Sequence, residues 1–417
     1  MKMRNAVVCV SYDGIISHYC GVGSITLIMS KCLDIINKEA GCPIDYFLIS
    51  SGSNKRCIGY SKTIKKENFI LTKRNGGKII YINSSKNKDN QFGSLSQWKK
   101  NSVEVYKILD KLSKDYCKLL VFLHDAPFAG VANYALSRRI KNIYFIWIPH
   151  STGYIHGKNI LERKKRIAWE RQGIIKKRQF FVGYISDYMR KHLKTKYRIS
   201  DVQLINLKNG VFLGNDEKKH MSKSSLIKLI PSNKKLVLSL GRSEPYKNLK
   251  VVLRASKFLN NKIFLLLIAS DRTSDNPQHN LLNKEAKNIP NCVLIPHYIL
   301  QAQIEALIKN RQTLIIVPSK KEPFGLIPCE VRLWGKDNGS LVLASKCDGL
   351  KEQINDRKDG FFIRSFNVKE LATQIEHICS LRNDIKQKIS KRAYSKILKE
   401  YNYKQRLIDV LALFFNF

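Results

Sequence analysis

Glu322 and Glu330 stand eight positions apart and enclose Pro323-Phe324-Gly325-Leu326-Ile327-Pro328-Cys329. With one carboxylate in a loop and the other about a turn and a half into a helix that starts near Pro323 or Gly325, both can be aimed at one polyhydroxy ligand. The backbone N–H groups of Phe324, Gly325 and Leu326, at the start of that helix, suit oxygen acceptors. A sugar carried on a nucleotide offers both kinds of partner. Upstream, Gly241-Arg242-Ser243-Glu244-Pro245-Tyr246-Lys247-Asn248 places two cations on a short loop before a helix that begins near Asn248. Two fixed cations beside a helix start make a site for a diphosphate. Each segment alone has a plainer reading, a capping carboxylate in one case and solvated charges in the other. Their joint occurrence weighs against it.

Such groups need a frame to hold them. Leu314-Ile315-Ile316-Val317 and Leu236-Val237-Leu238-Ser239-Leu240 are short apolar runs, as expected of buried parallel strands. Each runs directly into one of the two polar segments, so both segments fall at the C-terminal ends of strands, where open α/β sheets bind ligands. Strand-like runs recur near 6–10, 46–50, 78–82, 119–123, 143–148 and 180–185, and again near 236–240, 263–268, 292–295, 314–317, 341–344 and 361–363. In the first half they alternate with helical patterns near 22–38, 96–113, 129–138, 158–176 and 188–195. The alternation predicts two doubly wound α/β domains, and 417 residues are too many for one typical core. The expected division is a first domain over 1–213, a second over 214–390 and a helical tail over 391–417, with a polar linker over 214–225.

Composition narrows the class. Hydrophobic residues make up 44% of the chain, enough for globular cores, and no apolar run approaches the roughly 18–20 residues of a membrane span. The start of the chain does not read as a signal peptide. Ten scattered cysteines without a Cys-x-x-Cys pair point to reduced thiols in a cytoplasmic protein, and no metal cluster is visible. The 74 Lys and Arg against 33 Asp and Glu give a net charge of +41. Three readings of that charge stand open: compositional drift, an anionic membrane surface at which the protein is peripheral, and nucleic acid. No zinc finger, RRM or KH signature supports the last. The membrane reading rests on 158–178, where nine basic residues flank Ile160, Leu161, Ile167, Ala168, Ile174 and Ile175 with Trp169 beside them. The alternative there is a stripe that packs on its own domain.

The two polar segments together resemble the retaining glycosyltransferases of the GT-B fold, in particular glycosyltransferase family four and the glycogen synthase relatives. The resemblance runs through Gly241-Arg242, Lys247-Asn248, Pro318-Ser319, Glu322 and Glu330, and continues in Ala344 to Ile354. It implies two Rossmann-like domains facing a central cleft, the second of them (214–390) binding the nucleotide sugar, with the tail over 391–417 crossing back to the first domain, and metal-independent transfer of a sugar from a nucleotide diphosphate sugar with retention. UDP-sugars are favoured as donor, GDP- or ADP-sugars are alternatives, and no further cofactor is implied. Arg242, Lys247, Glu322 and His150 then act in catalysis. Gly21, Gly23, Phe324, Gly325, Leu326, Glu330 and Tyr298 bind the donor, and His124 and Asp125 lie on the acceptor side. The acceptor stays open among a lipid, a glycan and a small molecule. Trp334 and the run to Ser340 after Glu330 depart from the family's wording, as does Asp348-Gly349. Two alternatives keep the fold: a nucleotide-sugar epimerase, and a basic binding protein without catalysis.

Overall fold

The computed structural model describes residues 4–41, 44–52, 55, 57, 59–82, 92–137, 141–157, 159–214, 224–270 and 276–415. The chain divides into two compact units. Unit 1 holds 1–212 and 402–417, and unit 2 holds 213–401. The second division therefore falls after Tyr401, later than the position 390 read from the sequence, and the expected linker lies mostly outside the described residues.

Unit 1 runs β1 (Asn5–Ser11), α1 (Gly21–Ala40), β2 (Asp45–Ser50), α2 (Lys62–Arg74), β3 (Ile79–Tyr81), α3 (Leu95–Leu112), β4 (Lys118–His124), α4 (Val131–Ser137), β5 (Ile143–Ile148), α5 (Ile160–Gly173), β6 (Phe180–Tyr184), α6 (Asp187–Tyr197) and β7 (Leu204–Asn206). Its sheet has the order β3-β2-β1-β4-β5-β6-β7, and every pairing is parallel. Unit 2 runs β8 (Lys235–Arg242), α7 (Leu249–Ala255), β9 (Ile263–Ser270), α8 (Pro277–Ala286), β10 (Cys292–Ile295), α9 (Gln301–Asn310), β11 (Thr313–Val317), α10 (Ile327–Trp334), β12 (Leu341–Ala344), α11 (Leu350–Gln353), β13 (Phe361–Phe362), α12 (Val368–Ser380) and α13 (Asn383–Glu400). Its sheet order is β10-β9-β8-β11-β12-β13, also parallel. The last helix, α14 (Tyr403–Phe414), belongs to unit 1.

The strands read as unbroken apolar runs because both faces of each sheet are covered. In unit 2, Val237, Leu265, Leu267, Ile316 and Leu343 enter one core. Their neighbours Leu236, Leu238, Leu266, Ile315 and Val342 enter another on the opposite face. Unit 1 repeats the pattern: Val8, Val10, Val121 and Phe145 join a cluster with residues of α3 and α4, while Val7, Cys9, Leu120, Phe122 and Ile146 are equally buried. Helix starts are set by side-chain caps. Ser61, Ser94, Asn159, Ser186 and Asn402 each accept an N–H from the first turn that follows. Among the described residues no helix is long and apolar enough to cross a membrane.

Three local readings change. α2 and β7 are elements that the periodicity did not indicate. The helical tail over 391–417 is not one helix: α13 ends at Glu400, Asn402 caps α14, and the two helices belong to different units. α14 buries Tyr403, Leu407, Val410, Leu411 and Phe414. The Phe414 ring lies against Tyr144 of β5 and Phe181 of β6, with ring centroids 5.4 and 5.3 Å apart, and its carbonyl accepts from Lys118 Nζ of β4 at 3.1 Å. This makes α14 part of the unit 1 core. Leu407→Ala is expected to destabilise unit 1 by about 2–5 kcal/mol. Hydrogen exchange should then show protection lost in α1, α14 and the unit 1 strands while unit 2 is unchanged; equal loss in both units would contradict the assignment.

Candidate active site

In each sheet the strand order reverses direction beside the first strand, between β1 and β4 in unit 1 and between β8 and β11 in unit 2. Loops leaving the C-terminal ends of those neighbours diverge and open a crevice. Both constellations foreseen from the sequence lie at these two points.

In unit 2, β8 ends in Arg242 and β11 ends just before Pro318-Ser319. Two contacts join the loops that follow. Lys247 Nζ is ion-paired with Glu322 Oε2, and the Lys320 amide donates to the Tyr246 carbonyl at 2.7 Å. Ser319 Oγ also donates to Glu322 Oε2, at 3.3 Å. Arg242 hydrogen-bonds the Tyr246 hydroxyl and lies 3.6 Å from Glu244. The loop between β12 and α11 closes the third side: the Glu322 amide donates to Asp348 Oδ2 at 2.9 Å, and the Gly349 amide donates to the Glu322 carbonyl at 3.0 Å. Gly349 has no room for a side chain, since a Cβ there would stand 2.3 Å from the Pro323 carbonyl oxygen.

Gly325 takes φ +81°, where glycine is favoured, and a Cβ there would meet Leu350 and Glu322. Gln353 Nε2 donates to the carbonyls of Phe324 and Gly325, at 2.5 and 2.9 Å. With its carbonyls tied back, this turn leaves the amides of Phe324, Gly325 and Leu326 without an acceptor among the described residues. α10 begins at Ile327, later than the sequence suggested, so Glu330 sits in its first turn. Glu330 Oε1 accepts from Gln301 Nε2, at the start of α9, at 2.7 Å. Burial pushes the Glu330 carboxyl up to about 7, and the Gln301 amide opposes that rise. Tyr298 lies in the loop before Gln301 and is partly exposed.

In unit 1, His124 ends β4 and His150 follows β5. Their rings stack with centroids 5.2 Å apart, and His124 Nδ1 lies 2.9 Å from His150 Nε2. Burial lowers both imidazoles, His150 to about 3, so both are neutral at neutral pH. His124 Nε2 is buried without a partner among the described residues. An unpartnered buried N–H is the costlier alternative. His124 therefore donates through Nδ1 to His150 Nε2, and His150 is left with a proton on Nδ1. Asp125 has φ 65° and ψ −175°, a strained geometry for a non-glycine residue. It is held at every polar group. Its amide donates to the Ile148 carbonyl at 2.8 Å, and its carbonyl accepts from Trp147 Nε1 at 3.0 Å. Its carboxylate meets the Tyr12 hydroxyl at 3.3 Å and Arg166 Nη2 at 3.4 Å.

Arg166 was read only as surface charge. It is a clamp largely withdrawn from water: its guanidinium binds Asp125, the Ser151 carbonyl at 2.8 Å and Glu170 Oε1 at 2.7 Å. Glu170 also takes the Gly153 amide and the Tyr197 hydroxyl. Trp169, read either beside a lipid-facing stripe or beside one that packs on its own domain, is buried with Nε1 donating to the Ala126 carbonyl at 2.8 Å. α5 therefore packs inward through Arg166, Trp169, Glu170 and Gly173, and only its first turn exposes Ile160 and Leu161. The i,i+4 pair Arg166–Glu170 was the one available signal. Gly21 opens α1, and Gly23 has its space taken by Asp13, whose Oδ2 would stand 2.5 Å from a Cβ. Asp13 accepts the Tyr19 and Cys20 amides and so shapes the loop before α1.

Residues 222–396 match the family model described as glycosyl transferases group 1, which is nearly all of unit 2. Unit 2 is the part of the chain that is similar to the glycosyl transferases group 1. The chain is 26% identical over 144 residues to N,N'-diacetylbacillosaminyl-diphospho-undecaprenol alpha-1,3-N-acetylgalactosaminyltransferase of Campylobacter jejuni, a match that spans 34% of this chain and 35% of that protein. Among solved structures, sucrose-phosphate synthase from Thermosynechococcus elongatus is similar with TM-score 0.73 at 14% identity, covering 99% of this chain and 98% of that one. A glycosyltransferase from Rickettsia africae gives 0.67 at 18%, over 99% and 98%. An Anabaena protein solved with UDP and glucose gives 0.68 at 14%, over 98% and 100%. These likenesses show the fold, and the chain has the GT-B fold.

The half-buried Glu330 of unit 2 gives a pH test. Its ordinary value is 4.5 and its folded value about 7. Between these the folded chain holds a proton that the unfolded chain has lost. Its contribution to stability is full below about pH 4.5 and is lost as pH rises towards 7. Glu330→Gln cannot ionise. In urea unfolding, its stability relative to wild type should rise between about pH 5 and pH 7.5; a difference that does not vary with pH would remove the assignment.

Proposed function

We propose that the protein transfers a sugar from a nucleotide diphosphate sugar to an acceptor hydroxyl, with retention at the anomeric carbon and without a metal ion. One observation carries this reading: Arg242, Lys247, Glu322, three unpaired amides and Glu330 converge at the switch point of unit 2. When the bond from the anomeric carbon to the diphosphate breaks, negative charge grows on the leaving group. Arg242 and Lys247 meet that charge. Lys247 can turn from Glu322 to a phosphate because Ser319 remains as a partner of the same carboxylate oxygen. Stabilisation at the place where charge develops is often the largest single catalytic contribution.

Glu322 and the amides of Phe324, Gly325 and Leu326 hold the sugar hydroxyls and the phosphate. Glu330, once ionised, accepts both ribose hydroxyls, and the loop at Tyr298 takes the base. The Nδ1 proton of His150 is offered to a sugar hydroxyl of the donor. His124 and Asp125 are assigned to the acceptor side, and Gly21 with Gly23 to the approach of backbone to ligand. UDP is the favoured nucleotide, supported by the UDP bound in the Anabaena structure, and GDP or ADP are alternatives. The name of the Campylobacter relative specifies a polyprenol-diphosphate-linked acceptor, which supports a lipid-linked acceptor here. A peripheral site of action at the inner face of the membrane follows from that reading.

The test is release of free nucleotide diphosphate from UDP-, GDP- and ADP-sugars, with and without a cell extract that supplies acceptor. Arg242→Ala and Lys247→Ala should each lower kcat by ~10²–10³-fold and change the donor KM by less than about tenfold. Activity should persist in EDTA. Wild-type turnover in either variant at saturating donor would reject the assigned roles, and loss in EDTA restored by magnesium or manganese would reject metal independence.

A further inference from the structure

α2 carries an outer face that its own unit does not cover. Lys62, Lys66, Phe69, Ile70 and Lys73 recur at helical spacing, all are exposed, and they form one stripe. Phe69 is 56% exposed and Ile70 43%, two adjacent large apolar side chains in water. The other charges of the helix are engaged elsewhere. Glu67, its one acidic residue, pairs with Lys31 of α1 at 3.4 Å; Arg74 pairs with Asp34 at 2.9 Å; Lys65 lies over the Tyr81 ring. Lys62, Lys66 and Lys73 have no acidic partner among the described residues. An apolar pair ringed by unpaired lysines, with no carboxylate on the same face, complements an anionic lipid surface.

The inner face of α2 ties it to the candidate site. Asn68, fully buried beside Phe69, donates to the carbonyls of Gly14 and Ile15 at 2.9 and 3.0 Å. The amide of Ser61, whose Oγ caps the helix, donates to the Ile16 carbonyl at 3.0 Å, and Tyr60 bridges Ser17. The loop held in this way begins at Tyr12, whose hydroxyl reaches Asp125. We propose that the Lys62–Lys66–Phe69–Ile70–Lys73 face of α2 docks unit 1 on an anionic bilayer, and so brings the Tyr12–Cys20 loop and Asp125 to the lipid surface. The docking stands on these residues alone. Its use, delivery of a lipid-linked acceptor to that loop, rests on the transferase reading above.

Flotation of the full chain with vesicles tests it. Wild type should float with phosphatidylcholine containing about a third phosphatidylglycerol and not with phosphatidylcholine alone, and about 0.5 M NaCl should release it. Phe69→Ser with Ile70→Ser, and separately Lys62→Glu with Lys66→Glu, should each lower the bound fraction by roughly fivefold or more. Both variants should keep the wild-type circular dichroism and the wild-type thermal shift with UDP. Equal binding to both vesicles, no binding of wild type to either, or retention in both variants would overturn the proposal. So would loss in Lys164→Glu with Lys165→Glu while the α2 variants still bind, or a concentration-dependent dimer abolished by the Phe69→Ser pair. A chain that floats as expected but gains no stability from any nucleotide diphosphate fails the transferase reading and leaves the docking face standing.

Discussion

The ion pair between Lys247 and Glu322 is the contact on which the unit 2 site depends. It joins a loop leaving β8 to a loop leaving β11, two strands that are neighbours in the sheet but far apart in sequence. Both side chains are largely withdrawn from water, so the pair adds little net stability after desolvation. What it supplies is register. With the pair made, the Lys320 amide meets the Tyr246 carbonyl, and the Glu322 backbone is in turn fixed by Asp348 and Gly349. A shift in any of the three loops would break several short contacts at once. The carboxylate and the cation are thus held at one place before any ligand arrives, which is the preorganisation that electrostatic catalysis requires.

Unit 1 solves the same problem with a different device. Its strained residue, Asp125, is kept in place by an arginine from a helix rather than by a pair between two loops. Arg166 reaches from α5 to the ends of both β4 and β5 through Asp125 and the Ser151 carbonyl, and Glu170 offsets its charge. Removing one partner of such a group leaves another uncompensated in the interior, which costs about 3–5 kcal/mol. The neutral histidine pair beside it carries no net charge into this balance.

Much of this was legible in the sequence because parallel strands covered on both faces appear as unbroken apolar runs, and the polar segments follow them directly. β8, β11 and the groups Arg242, Lys247, Glu322 and Glu330 could be placed from that alone. α2 was not legible, since its exposed Phe69 and Ile70 blur the apolar period, and β7 has only three residues. Gln301 and Gln353 were missed because an amide that props a carboxylate or a turn has no sequence signature of its own. The direction of α5 stayed open for a related reason. Basic residues on both sides allowed an outward helix as well as an inward one, and the choice was made by partners of Arg166 in the loops after β4 and β5.

The return of α14 to the first unit bears on how the chain is made. Unit 2 is continuous in sequence and can close its core as soon as its last helix has left the ribosome. Unit 1 begins first but cannot finish: until Tyr403–Phe414 has been synthesised, the surface that α14 covers on α1 and at the edges of β4, β5 and β6 stays exposed. The order of completion on a translating ribosome is therefore the reverse of the order of synthesis, and the nascent first half is the part that needs protection from aggregation.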